Sequence, residues 1–299
     1  MGLSEVEVAE ITVANIVCSS LSLIGSCFVI VMYLGFKEIR SFLFRLVVYL
    51  SICDALFALG VLLGPVHESL CQFQAFFVSY FSVGTILWTI IIARTLYLAV
   101  IRQVPNVEDY EWKFLGFGFG MPLIGAVVPF TTGSYGEADV GMCWVSLREN
   151  KAVGSMWQLF QFYLPLWFAF FYNSYCYYQV RRVVKIVMSQ LRSGGEDGSR
   201  MRKVGFGRFR FFPLLLIICW FFSTVNRIYL FINPDEPSVE LSILAMSFGS
   251  IQGLLNAFLY GLNPAVLSAL RNSCYKSMPC LGKPSYPLPP VEQELPPQI

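Results

Sequence analysis

Residues 11–36 read ITVANIVCSSLSLIGSCFVIVMYLGF, an uncharged stretch that ends only at Lys37, Glu38 and Arg40. A helix rises about 1.5 Å per residue and the hydrocarbon core of a bilayer is about 30 Å thick, so about 20 apolar residues suffice to cross it. The stretch is long enough, and its continuous apolar run lacks the alternation of a membrane barrel strand. Six further stretches follow the same rule. They are residues 42–66, which contain Arg45 and Asp54, and residues 72–101, which contain Arg94. Residues 114–132 are rich in Gly and interrupted by Pro, and residues 153–180 are dense in aromatics. Residues 211–232 carry Pro213 and Arg227, and residues 241–262 complete the set.

Composition agrees with this reading. Of 299 residues, 56% are hydrophobic and only 13% are charged, whereas a soluble domain carries about a quarter charged residues. The sequence predicts an all-α fold: a seven-helix transmembrane domain with a short juxtamembrane segment over residues 11–278. A short extracellular N-terminus (1–10) precedes it, and a disordered Pro-rich cytoplasmic tail (279–299) follows. The opening MGLSEVEVAE has no basic residue, so it lacks the n-region of a cleaved signal, and Val6 departs from the myristoylation pattern.

Sidedness follows from Lys and Arg in the connections, which concentrate on the cytoplasmic face. The first connection carries Lys37, Arg40 and Arg45; the third carries Arg102 and Lys113. The fifth carries nine, among them Arg181, Arg182 and Arg208, and the tail carries Arg271, Lys276 and Lys283. The odd-numbered connections and the tail hold seventeen basic residues, against only Arg148 and Lys151 on the other side. This places the C-terminus in the cytoplasm and the N-terminus outside, as expected of a multi-pass plasma-membrane protein. The basic connection would contact a cytoplasmic partner or anionic lipid.

Charges inside a bilayer are costly and mark function by default. Asp54 lies about 18 Å into the second helix, near mid-membrane. It is expected to face the bundle interior, toward Asn256 or Asn263, as an ion site, a conformational switch or a structural carboxylate in a polar network. A proton relay is disfavoured, because no second carboxylate lies within the helices. Arg94 lies about 33 Å along its helix and would snorkel at the cytoplasmic surface. Arg227 lies about 24 Å along the sixth helix, in its outer half. With Asn226 it would either meet an anionic ligand from outside or snorkel to the outer surface. Trp220, one turn below Thr224, would either floor a ligand pocket or serve packing.

Cys71 and Cys143 fall in outer connections, on the oxidising face. They would form a disulfide or remain two free thiols, and the bridge is favoured because the other cysteines lie in helices or on the cytoplasmic side. Cys274 and Cys280 follow the seventh helix and are weak palmitoylation candidates. Nine cysteines with a single histidine, His67, do not suggest a metal centre, and no cofactor is expected.

Several motifs together resemble one family. LSLIGSCFVIVMYLGFKEIRSFLFRLVVYLSICDAL (residues 21–56), ILWTIIIARTL (86–96), NVEDYE (106–111) and CWVS (143–146) are similar to the cyclic-AMP-receptor-like G-protein-coupled receptors. FYLPLWFAFFYN (162–173), RFFPLLLIICWFFSTVNRIYLFINP (210–234) and GLLNAFLYGLNP (253–264) extend the similarity to about Leu267. It is nearer to the plant relative than to the slime-mould cAMP receptors. The resemblance implies a seven-helix receptor that couples an extracellular small-molecule ligand to a heterotrimeric G protein α subunit. It also implies the Cys71–Cys143 bridge. In the slime-mould members the ligand is cAMP, and Arg227 would suit its phosphate. The third helix ends ARTLYLAVIR, without the acidic-Arg-aromatic triplet of rhodopsin-like receptors, and the seventh ends NPAVL without their Tyr.

Other function classes fit less well. A transporter or channel is the alternative, as is a signalling scaffold that does not use a G protein, but no internal repeat or paired intramembrane charge supports transport. A retinal protein needs a Schiff-base lysine, and residues 241–262 contain none. No helical stretch carries a histidine and Asp54 has no acidic partner, so no enzyme chemistry is expected. Nothing points to nucleic acid.

Overall fold

The computed structural model describes residues 4–64, 68–138, 142–147, 150–193, 212–233, 236–261 and 266–271. Asn263, Arg208, Cys274, Cys280 and the 279–299 tail lie outside the described residues.

Among the described residues, seven helical rods form the bundle, and residues 266–271 are also helical. Helix α1 (Glu5–Gly35) begins ahead of the apolar stretch, because Ser4 closes a capping box with Glu7. That box satisfies two free amide donors of the first turn and lets the helix start among polar residues. At its other end Arg40 donates to the carbonyls of Tyr33 at 3.0 Å and Leu34 at 2.6 Å. The guanidinium thus meets the orphan carbonyls and the negative pole of the helix. Ser41 then caps α2 (Phe42–Leu62) by accepting from the Phe44 amide.

Helix α3 (Glu68–Val100) is the central rod. In its most apolar window 78% of residues are buried, against 33% for α1. Trp88, Ile86 and Ile92 on it are fully enclosed. Helix α4 runs from Glu111–Leu115 through a π turn, Gly116–Gly120, into Met121–Thr131. Helix α5 runs from Lys151–Gln158 through a π turn, Leu159–Tyr163, into Leu164–Ser193. Each π turn precedes a proline, Pro122 or Pro165. A proline removes one amide and crowds the carbonyl four residues back, and a widened turn accommodates both. In α4 that widened turn brings Gly118 so close to the Trp88 indole that a Cβ there would lie 2.7 Å from the ring.

Helix α5 continues beyond the apolar stretch. Arg181, Arg182 and Lys185, expected in a connection, are exposed positions on this helix. Lys and Arg are good helix formers, so charge ends the membrane segment without ending the helix. Helix α6 is Phe212–Ile232. Helix α7 is bent by 43° between Val239–Ser250 and Gln252–Gly261.

Five of these helices are long and apolar enough to cross a bilayer by hydropathy, and the bent α7 makes a sixth. The length of α5 suffices, but its Tyr, Gln and Asn side chains lower its hydropathy.

The packing has the polarity expected of a chain dissolved in lipid. Helix α1 exposes Val13, Val17, Ile24, Val31 and Leu34, and buries Asn15, Ser19, Ser22 and Ser26. Small polar residues inside allow close backbone approach and interhelical hydrogen bonds, while the apolar face meets lipid tails.

Candidate functional site

Two structures define the site: a buried polar seam along α1, α2, α3 and α7, and a β-hairpin above it. The seam centres on Asp54, which is 3% exposed. Thr85 of α3 donates to its Oδ1 at 3.0 Å, and Asn256 of α7 donates to its Oδ2 at 2.7 Å. One carboxylate therefore ties α2 to two other helices.

The bend in α7 sits beside it. The Gly253 amide, just past the bend, donates to Ser22 Oγ of α1 at 2.9 Å. A Cβ on Gly253 would run into Ser22, Ser26 and Asp54, so only glycine lets α7 approach this closely. Higher up, Ser250 donates to Asn15 Oδ1. A cavity of about 10 Å³ lies between Asp54, Ser82, Thr85 and Trp220, room for about one water molecule.

The hairpin pairs β1 (Tyr135–Ala138) with β2 (Met142–Val145), antiparallel, with Glu137 opposite Cys143. The Cys71–Cys143 disulfide joins β2 to the start of α3. Buried glutamines hold it as well. Gln74 donates to the Gly60 carbonyl at 2.9 Å and accepts from the Cys143 amide at 3.3 Å. Gln158 donates to the Val145 carbonyl at 2.9 Å. Tyr135 donates to the Ala126 carbonyl and accepts from Gln161, and burial pushes its phenol pKa above the ordinary value.

Arg227 lies against this hairpin. Its guanidinium is 5.8 Å from the centre of the Trp144 ring, and its Nε is buried without a hydrogen-bond partner. The adjacent Asn226 is 5% exposed, with its Oδ1 also unpartnered. Trp220 lies deeper: its indole donates to Gln252 at 2.6 Å and its ring lies 4.7 Å from Phe162. Trp220 therefore lines the small cavity beside Asp54 while Arg227 meets the hairpin. The three residues do not converge on one open pocket.

The seven-rod bundle has a counterpart among solved structures, and the sequence has relatives among known receptors. Residues 3–272 match the sequence profile of the slime mold cyclic AMP receptor. The chain belongs to this family of receptors. The Arabidopsis thaliana protein called G-protein coupled receptor 1 is 33% identical over 280 residues, covering 90% of this chain and 83% of its own. Cyclic AMP receptor-like protein A of Dictyostelium discoideum is 25% identical, over 84% of this chain and 63% of its own. Among solved structures, squid rhodopsin superposes with a TM-score of 0.72 at 13% identity, covering 98% of this chain and 95% of its own. That likeness establishes the seven-helix fold. The chain is a multi-pass membrane protein with the architecture of a G-protein-coupled receptor.

The end of this receptor opposite the hairpin has a polar lock of its own. Arg45 at the start of α2 pairs with Glu111 at 2.9 Å and reaches Glu108 at 3.6 Å. Tyr49 donates to the other Glu111 oxygen at 2.9 Å. Its ring packs 5.0 Å from Trp88, which in turn lies 5.1 Å from Phe119. Asn173 of α5 donates to Thr89 of α3 at 3.0 Å. Arg102, just past α3, and Arg181 and Arg182 on α5 are exposed at this end.

Sequence reasoning reached Asp54, Asn256 and the paired cysteines, but not Trp144, Gln74 or the Arg45–Glu111 pair. Adjacency to Cys143 was the available signal for Trp144. For α1, the signal was the spacing of Asn15, Ser19, Ser22 and Ser26, which repeats helically along one face.

Proposed function

We propose that this chain carries a small-molecule signal from outside the cell to a heterotrimeric G protein α subunit in the cytoplasm. In this reading the hairpin end faces outward at the plasma membrane, with the N-terminus. The excess of basic residues at the opposite end and the disulfide at the hairpin end both support that orientation. The observation that carries the reading is the Asp54 network. It couples α2, α3 and the bend of α7 beneath the hairpin, where a rearrangement of one helix must break a bond to another.

A ligand acts by binding one arrangement of these helices more tightly than the other, which shifts the population toward it. Arg227 is the ligand's charge partner in this proposal, and a cyclic nucleotide is the first candidate. Its support is the buried guanidinium Nε that has no acceptor and the cyclic AMP receptors of Dictyostelium discoideum among the relatives. Arg102, Arg181 and Arg182 would face the G protein, with anionic lipid around them.

The test is nucleotide exchange on a co-reconstituted G protein, with cyclic nucleotides added first, on wild type and Arg227→Ala. Stimulation by cAMP in wild type and its loss in the variant is the expected result. An equal cAMP response in both refutes the role of Arg227. Solute flux through the same vesicles without exchange would replace the receptor reading with transport.

A further inference from the structure

We infer that Arg94 marks a lipid site: the flank between α3 and α5, at the end opposite the hairpin, holds the headgroup of a phosphomonoester lipid with the chemistry of phosphatidic acid. The inference goes beyond the receptor reading. Only the leaflet, the cytoplasmic one, rests on the orientation proposed there.

Helix α3 is largely enclosed, yet one of its side chains leaves the bundle. Ala93, Thr95 and Leu96 are buried, and Arg94 beside them is exposed. It emerges next to α5. Its guanidinium lies 5.7 Å from the centre of the Tyr97 ring. That ring lies 6.2 Å from the ring of Tyr175 on α5. The guanidinium also acts on Tyr172 of α5 as a hydrogen-bond donor. The face of α5 at this level is turned to lipid: Phe168, Phe171, Tyr175 and Tyr178 are all exposed and recur at helical spacing. A lipid molecule has direct access to the guanidinium.

Depth separates Arg94 from the arginines at the surface. It lies six residues before the end of α3 at Val100, about 9 Å inside it. Arg181 and Arg182 on α5 lie beyond Tyr175 by a similar length, nearer the end of the bundle. They meet the bulk headgroups. Arg94 sits at the border of the hydrocarbon, where an unpaired charge is costly. Snorkelling extends the stem toward the surface, whereas the contacts to Tyr97 and Tyr172 keep this guanidinium on the flank.

The groups around it define the ligand. No ion pair to Arg94 occurs among the described residues. Tyr172 accepts from Arg94, and Tyr175 accepts from Gln179 Nε2 at 3.3 Å, so each phenol keeps its own proton to donate. A guanidinium with two O–H donors matches an anion that offers several acceptor oxygens, as a phosphate does. None of these side chains is a carboxylate, so none would pair with the ammonium of a choline, ethanolamine or serine headgroup. A bare phosphomonoester has acceptor oxygens alone, and its small size suits the depth.

The test is lipid binding by the full chain. The purified protein is titrated in detergent with phosphatidic acid, phosphatidylserine or phosphatidylcholine of identical acyl chains, and bound lipid is counted by native mass spectrometry. Phosphatidic acid should bind about tenfold tighter than phosphatidylcholine, the worth of one charge-assisted bond. Arg94→Gln should abolish that preference. Arg94→Lys, which keeps the charge and loses the fork, should retain part of it. Lys37→Gln removes an exposed positive charge from the same end and should leave the preference unchanged. That control separates a site from the general attraction of a basic surface.

An equal preference in wild type and Arg94→Gln, or an equal fall in Lys37→Gln, overturns the site. Phosphatidylserine bound as tightly as phosphatidic acid overturns the phosphomonoester assignment. If Arg94→Gln does not fold, Tyr175→Phe keeps the exposed ring and loses the hydroxyl. It should lower the preference about threefold, and an unchanged preference there overturns the inference equally. No G protein enters this experiment. A chain that catalyses nucleotide exchange but shows no lipid preference sinks the lipid site alone. Lipid preference without exchange sinks the coupling alone.

Discussion

Asn256 on α7 donates to Asp54 on α2 at 2.7 Å, across 202 residues of chain, while Thr85 holds the other carboxylate oxygen. The three side chains come from three helices and are buried together. Removing the carboxylate leaves an amide and a hydroxyl without an acceptor. Asp54→Ala should cost about 1–3 kcal/mol of stability, more than Asp54→Asn, which preserves shape and one acceptor. Thermal unfolding in detergent compares them. A cycle with Asn256→Ala should return a coupling of about 1–2 kcal/mol, and a coupling near zero would mean the bond carries no energy.

Gly118 and Gly116 make a matched pair on α4. A Cβ on Gly118 would meet the buried Trp88 ring at 2.7 Å, whereas one on Gly116 would meet nothing within 4 Å. Gly118→Ala should destabilise by about 1–3 kcal/mol through overpacking. Gly116→Ala should be neutral or slightly stabilising. Equal unfolding temperatures for the two variants would contradict the packing described for α3 and α4.

Gln74 serves α2 and the hairpin at once, through the Gly60 carbonyl and the Cys143 amide. Gln74→Ala should leave both groups unpaired, at a cost of about 1–3 kcal/mol each before relaxation. Hydrogen exchange should report it locally, with faster exchange at Cys143 and its neighbours and little change on α4. Unchanged protection at Cys143 would contradict the assignment.

The Arg45–Glu111–Tyr49 lock should behave differently. The Arg45 side chain is one-third exposed, so the ion pair contributes only about 0.2–1 kcal/mol. Its effect should be local order. Arg45→Gln should speed hydrogen exchange over residues 107–115 with little change in global stability, and the charge swap Arg45→Glu with Glu111→Arg should restore protection in part.

Much of this architecture was legible because lipid imposes a simple rule. Backbone in hydrocarbon must be helical and its side chains mostly apolar, so the spans appear as long uncharged runs. Asp54 stood out for the same reason, as a charge where charge is costly. What escaped was set by local capping, by helix propensity past the membrane boundary and by tertiary contact. The early start of α1 depends on the Ser4–Glu7 capping box. The continuation of α5 to Ser193 escaped because basic residues mark the membrane boundary and do not break helices. The bend of α7 at Ile251 has no proline to announce it, and its freed Gly253 amide is satisfied by Ser22, far away in sequence. Arg227 was legible as an intramembrane charge, but the ring that holds it was not, since Trp144 reaches Arg227 only once the hairpin docks.

The central claim is that a signal received at the hairpin end changes the opposite end through the Asp54 network. The most direct measurement is guanine-nucleotide exchange on a heterotrimeric G protein held with the full chain in lipid nanodiscs, for wild type and Asp54→Asn. The account predicts exchange above the receptor-free rate, and a change of about fivefold or more in that rate when Asp54 is replaced. Exchange at the receptor-free rate with every cognate heterotrimer tested, or an identical raised rate in both proteins, would contradict it.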